Sequence, residues 1–132
     1  KRLVDNLKIE QNVRFVGFVS GLEKESWFHL ANVYCNSAFF EPFGIVFVEA
    51  IQKGTAVLGT IAGGAKDIFR HKQSAHLFQP DNVHEIRDGF LALCDPQYRE
   101  TLVNNANALL PNYDINNIAD LYLDAFQAFA HQ

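Results

Sequence analysis

The feature that most constrains the fold is an alternation. Short runs rich in β-branched and aromatic residues take turns with longer amphipathic stretches along the whole chain. "NVRFVGFV" (Asn12 to Val19), "VYCNS" (Val33 to Ser37), "TAVLGT" (Thr55 to Thr60) and "AHLFQ" (Ala75 to Gln79) read as strands. Between them lie helix signals. Ser20 and Glu23 form a capping-box pattern ahead of "LEKESWFHLA", and Asn82 and Glu85 repeat it ahead of "VHEIRDGFLALC". Asp95-Pro96 is a helix start, an N-cap followed by proline at the first helical position, with that helix running to about Leu110. Strands separated by helices pair in parallel, because a parallel pair needs a crossover. The expected fold is therefore α/β: a Rossmann-like open parallel sheet of about four strands with helices on both faces. The last helix, capped by Asp114, carries Ile115, Ile118, Tyr122, Phe126 and Phe129 at spacings of three and four. That stripe is expected to pack on the sheet or its helices, or else to reach a further domain.

Composition narrows the function. At 132 residues the chain has the length of one ordinary domain, and 48% of it is apolar. Its net charge of -4 and lack of any basic run argue against a nucleic-acid partner. No apolar run approaches the roughly 20 residues of a membrane helix. Cys35 and Cys94 lie far apart in apolar contexts, the pattern of reduced thiols in a cytoplasmic protein. Five scattered histidines, without acidic or cysteine partners at ligand spacing, argue against a metal site. The chain contains no methionine and begins at Lys1, so it is expected to be a piece of a longer protein, residues 1–132 forming an N-terminally truncated Rossmann-like domain.

The segment "SAFFEPFGIVFVEAIQKG" (Ser37 to Gly54) sets two glutamates, Glu41 and Glu49, in an otherwise apolar run. Two strands flank it, so the stretch from Phe43 to Lys53 is expected to be the crossover helix, apolar nearly all round because it is buried. Ligands of open parallel sheets bind outside the carboxyl ends of the strands. Glu41 then stands in the crevice, with the backbone N–H groups of Phe43, Gly44 and Ile45 pointing to the same place. Glu49 follows about 7 Å along the helix, at roughly 1.5 Å per residue. A carboxylate there can accept two hydrogen bonds from a ribose diol. The parts are those needed for a nucleotide-sugar. The residues alone leave a plainer reading open: Glu49 paired with a lysine or arginine of the core, and Glu41 a solvated loop acid.

"FEPFGIVFVEAIQKGTAVLGTIAGGAKDIF" also resembles the donor-binding signature of retaining glycosyltransferases of family 4, which have the two-domain GT-B architecture. Glu41 and Glu49 match the family's paired glutamates. Gly54, Val57, Thr60, Gly63 and Gly64 match the strand and glycine turn that follow. "NVRFVGFV", "LANVYCNS" and "NNANAL" extend the likeness over nearly the whole chain. Asp67 departs from the family's usual glutamate, and Ala75 from its usual glycine.

The resemblance implies the donor half of an enzyme that moves a sugar from a nucleotide-diphosphate sugar to an acceptor. Glu41 would be the catalytic residue, bonding the donor sugar's hydroxyls. Phe43, Gly44 and Ile45 would present amides, Glu49 would hold the ribose, and Gly63 and Gly64 would shape the cleft wall. No metal or other cofactor is implied. The family's diphosphate-binding arginine and lysine, and the N-terminal acceptor domain, have no counterpart here, so the chain alone is expected to be inactive. A cytoplasmic enzyme fits, with membrane association through the missing part left open. The alternative from another class is a non-catalytic glycosyltransferase-like binding or structural subunit. A nicotinamide-dependent oxidoreductase fares worse, because no G-x-G-x-x-G follows a strand.

Overall fold

The computed structural model of the chain describes residues 1–130. Its centre is a three-stranded parallel sheet in the order β1 (Val33–Asn36), β2 (Ala56–Thr60), β3 (His76–Phe78). Val33 stands opposite Ala56 across the first pair, and Leu58 opposite His76 across the second. β2 is the middle strand and is buried along its whole length.

The strand side chains alternate between two apolar layers, as the pleat requires. On one face Tyr34, Val57 and Leu77 meet Phe47 and Ile51 of α3 (Ile45–Gln52) and Phe28 of α2 (Gly21–Leu30). On the other, Val33, Cys35, Ala56, Leu58 and Phe78 meet Ile86 of α5 (Val83–Ala92) together with Tyr98 and Leu102 of α6 (Pro96–Asn107). Helices thus cover both faces. Two glycines allow this close packing. A Cβ on Gly59 would stand 3.0 Å from the Phe47 ring, and one on Gly89 would stand 2.6 Å from Leu58. The remaining helices are α1 (Arg2–Leu7), the one-turn α4 (Ala65–Ile68) and α7 (Ile115–Ala130).

The expected strand at Asn12 to Val19 does not form. A 3-10 turn covers Glu10–Asn12, and the residues after it pair with no strand among the described residues. A strand needs a ladder partner, and Gly17, at φ 76°, breaks the extended run. Phe15 and Phe18 are exposed in consequence.

Helix starts fall where their caps put them. The Asp95 carboxylate accepts the Gln97 amide, and the Asn82 side chain accepts that of Glu85. Glu85 does not reach back to the Asn82 amide as a full capping box would; it accepts the Gln79 N–H at 2.7 Å. Ser20 is the N-cap of α2 without a capping bond. α6 stops at Asn107, short of Leu110, and a 3-10 turn over Leu110–Tyr113 follows.

α7 begins after Asp114, whose carboxylate accepts the Asn116 amide. Its apolar stripe does not pack on the sheet: Ile115, Tyr122, Phe126 and Phe129 are all exposed. Such a stripe is the mark of a surface without its partner.

Candidate functional site

The loop after β1 and the turn after β2 interlock at the carboxyl ends of the strands. The Glu41 N–H donates to the Ala62 carbonyl at 3.0 Å, and the Gly64 N–H donates to the Glu41 carbonyl at 2.8 Å. Glu41 and Gly63 form a parallel bridge that prolongs the sheet past β1 and β2. The two glycines make the approach possible. A Cβ on Gly63 would lie 1.9 Å from the Glu41 carbonyl oxygen, and Gly63 is at φ 106°. A Cβ on Gly64 would lie 2.7 Å from the Phe43 backbone. The glycine pair is therefore the seat on which the Glu41–Pro42–Phe43 backbone rests.

The Glu41 side chain is half-buried and held at both oxygens. Oε1 accepts the Gly44 N–H at 3.2 Å, and Oε2 accepts the Asn36 Nδ2–H at 2.9 Å. A carboxylate at the start of a helix is also favoured by the helix dipole. Gly44 is the N-cap of α3, in the left-handed region at φ 73°. The space a Gly44 side chain would take is filled by protein: a Cβ would meet Phe47 at 3.0 Å and Ile68 at 3.3 Å, and the Gly44 amide donates to Glu41. Phe43 and Ile45 have exposed side chains, and their amides have no acceptor among the described residues.

Glu49 sits on α3 with its side chain about one third exposed, not in the core. Its Oε1 lies 2.6 Å from Lys24 Nζ of α2. Lys53 and Glu25 form a second pair between the same helices at 2.7 Å. Burial raises the Tyr34 phenol above its ordinary range, and the charges of Glu41, Cys35 and Glu49 push it further up. Tyr34 is wedged edge-on against Phe28, with ring centroids 5.3 Å apart, and tilted against Phe47 at 6.0 Å.

Asn36, Tyr34 and Lys24 were not legible as site residues. The one signal was Asn36 itself, a polar residue ending an apolar strand just before a loop. Asp67 is exposed on α4, and Ala75 is buried in the turn before β3.

A cleft of about 910 Å³ lies away from both glutamates, between β3 and α5. In it His71 and His76 stack edge to face at 5.0 Å, and Tyr98 lies 3.2 Å from His76 Nδ1. The His71 Nδ1 accepts the Leu77 amide at 3.0 Å. Among the described residues no three His, Cys, Asp or Glu side chains could hold a metal ion, and no helix is long and apolar enough to cross a membrane. Both cysteines are free.

An α/β sheet whose strand ends carry an interlocked glutamate loop and glycine turn defines the class. The sequence profile described as Glycosyl transferases group 1 matches residues 1–109, and the chain belongs to that family. It is 35% identical over 115 residues to an uncharacterized glycosyltransferase of Methanocaldococcus jannaschii, covering 86% of this chain and 30% of that protein. It is 30% identical over 129 residues to the phosphatidyl-myo-inositol mannosyltransferase of Mycobacterium tuberculosis, covering 93% of this chain and 34% of that protein. Among solved structures it is similar to Anabaena HepE in complex with UDP, with a TM-score of 0.84 and 25% identity over 96% of this chain and 35% of that one. The chain thus spans about a third of the length of these relatives.

Proposed function

We propose that the chain is the donor-binding part of a retaining glycosyltransferase that takes a sugar from a nucleotide-diphosphate sugar. The observation that carries this reading is the seating of the Glu41 loop on Gly63 and Gly64, which fixes a carboxylate at the mouth of the sheet. HepE, solved with UDP and with UDP-glucose, gives the ligand class its support.

In this proposal Glu41 is the catalytic residue. It accepts hydrogen bonds from the donor sugar's hydroxyls and stabilises positive charge that develops near the anomeric carbon. The Phe43 and Ile45 amides face the donor sugar, with the diphosphate farther out. Gly44 acts through Glu41, as the donor of one of its bonds. Glu49 accepts the two ribose hydroxyls, with Lys24 moving aside or sharing the carboxylate. A partly exposed ion pair of this kind is worth only about 0–1 kcal/mol, so a ribose diol can compete with it. Gly63 and Gly64 hold the wall. No metal takes part, and stabilisation of the leaving diphosphate carries much of the rate. The diphosphate cations, from a further part of this domain, and the acceptor side, from the N-terminal domain, are both supplied by the protein outside this chain, which therefore does not transfer sugar by itself.

One observation favours a second reading, a glycosyltransferase-like binding subunit without activity: Lys24 already neutralises Glu49. The test is an NMR titration of the chain with UDP-glucose and a guanosine-diphosphate sugar, with Glu49→Ala as control. Without its cationic partners the diphosphate loses charge-assisted bonds worth roughly 1.5–3 kcal/mol each, so the expected binding is millimolar at best. Shifts confined to residues 37–49 and 60–67, and lost in the variant, support the donor site. Tight binding elsewhere, or sugar transfer by this chain alone, refutes it. Turnover in the full-length protein separates the enzyme from the inactive subunit.

A further inference from the structure

We infer that Asn36 is a positioning residue that sets the direction of the Glu41 carboxylate; its place in sugar transfer rests on the function proposed above. Asn36 is the last residue of β1, and its side chain makes two bonds of opposite sense. Its Oδ1 accepts the Ala38 N–H at 2.9 Å, closing the turn that starts the loop. Its Nδ2 donates to Glu41 Oε2 at 2.9 Å. The assignment of oxygen and nitrogen is fixed by chemistry. A backbone N–H can only donate, so the amide oxygen must face Ala38, and the NH₂ group is left for the carboxylate.

The consequence is geometric. Gly44 on the helix holds Oε1, and Asn36 on the strand holds Oε2. With one bond to each oxygen, from two different elements, the carboxylate plane cannot rotate freely. The remaining lone pairs are left free to accept further hydrogen bonds. Asn36 also ties the strand end, the loop start and the acid together, so the loop cannot close correctly without aiming Glu41. A side chain with only one of these functions would build the turn or hold the acid, but not both.

Asn36→Asp separates the two. Aspartate is the same shape and keeps an oxygen for the Ala38 amide. It replaces the donor toward Glu41 with a second carboxylate, which repels the first. Asn36→Ala removes both bonds. The experiment uses the full-length protein with UDP-glucose as donor, and reads amide chemical shifts and hydrogen exchange beside turnover. In Asn36→Asp the Ala38 amide should stay protected, while the Gly44 amide, which reports on Oε1, should shift and exchange faster. Turnover should fall about 10- to 100-fold, the loss expected for one charge-assisted bond, with the donor KM changed less than about threefold. In Asn36→Ala both amides should lose protection. An unmoved Gly44 amide in Asn36→Asp overturns the inference, whatever happens to turnover. A Gly44 amide that moves while turnover and donor binding do not leaves Asn36 as the holder of Glu41 and instead refutes the role of Glu41 in sugar transfer.

Discussion

Replacing Gly63 by alanine should damage this protein more than any other single methyl group added to its turns. The added Cβ would lie 1.9 Å from the Glu41 carbonyl oxygen, whereas ordinary contact begins near 3.4 Å, so the loop must retreat by about 1.5 Å. That retreat breaks the Glu41-to-Ala62 and Gly64-to-Glu41 backbone bonds, worth about 0.5–1.5 kcal/mol each. Alanine at φ 106° adds strain of about 1–3 kcal/mol. The expected loss is about 2–6 kcal/mol. Gly54→Ala is the matched control. Gly54 is also left-handed, at φ 80°, but nothing lies within 4 Å of its Cβ position, so it should lose only the backbone term of about 1–2 kcal/mol. Urea unfolding of the two variants beside the wild type gives the difference, since ΔG falls linearly with denaturant. If the two variants are equally stable to within about 0.5 kcal/mol, the Glu41 loop does not rest on the glycine turn, and the account of the site fails with it.

Two further outcomes follow from charge. Burial holds the His71 and His76 imidazoles below their usual range, with Lys72 pushing both down and Glu85 only partly opposing. Protonation is thus easier in the unfolded chain, so stability should be full above about pH 6.5 and fall as the pH drops below it; urea midpoints at pH 7.5 and 5.5 should show the fall, and His76→Gln should lessen it. Lys24→Met removes a partly exposed partner of Glu49, so stability should change by less than about 1 kcal/mol, and a larger loss in thermal unfolding would mean the pair is structural.

The sequence showed some layers of this structure better than others, and the difference is physical. The β1–loop–α3–β2 unit was legible because punctuation residues mark it: Pro42 and Gly44 before the helix, Gly54 after it, and Gly63-Gly64 beyond the next strand. Such residues act through local backbone geometry, which a sequence displays directly. The strand expected at Asn12 to Val19 failed because β-branched and aromatic content reports a preference for a sheet, not the presence of a neighbour to pair with. Periodicity marks the α7 stripe as apolar, but it does not say what covers it. Asn36 and Lys24 escaped for the same reason: their importance lies in which acid they touch, at 2.9 Å and 2.6 Å, and a contact across the fold leaves no local pattern. A glycine before a helix can mean room for a ligand or a left-handed cap packed on the core, and only the Phe47 and Ile68 contacts distinguish them.

The Gly44 result changes the electrostatics of the crevice. A free helix N-terminus favours an anion. Here the anion is already supplied by the protein: Glu41 sits at the first turn of α3 and accepts the Gly44 amide. A diphosphate brought to the same corner would meet a carboxylate, and like charges in a partly dry cleft repel. Sugar hydroxyls do not. They can donate to Glu41 and accept from the Phe43 and Ile45 amides at once, which suits a corner holding a fixed acceptor beside open donors. In the proposed donor complex the sugar therefore belongs at the start of α3. In that proposal the diphosphate lies farther out, toward cations proposed to lie outside this chain. This division explains why the paired glutamates and the glycine turn can be complete in a chain that is not expected to transfer sugar unaided.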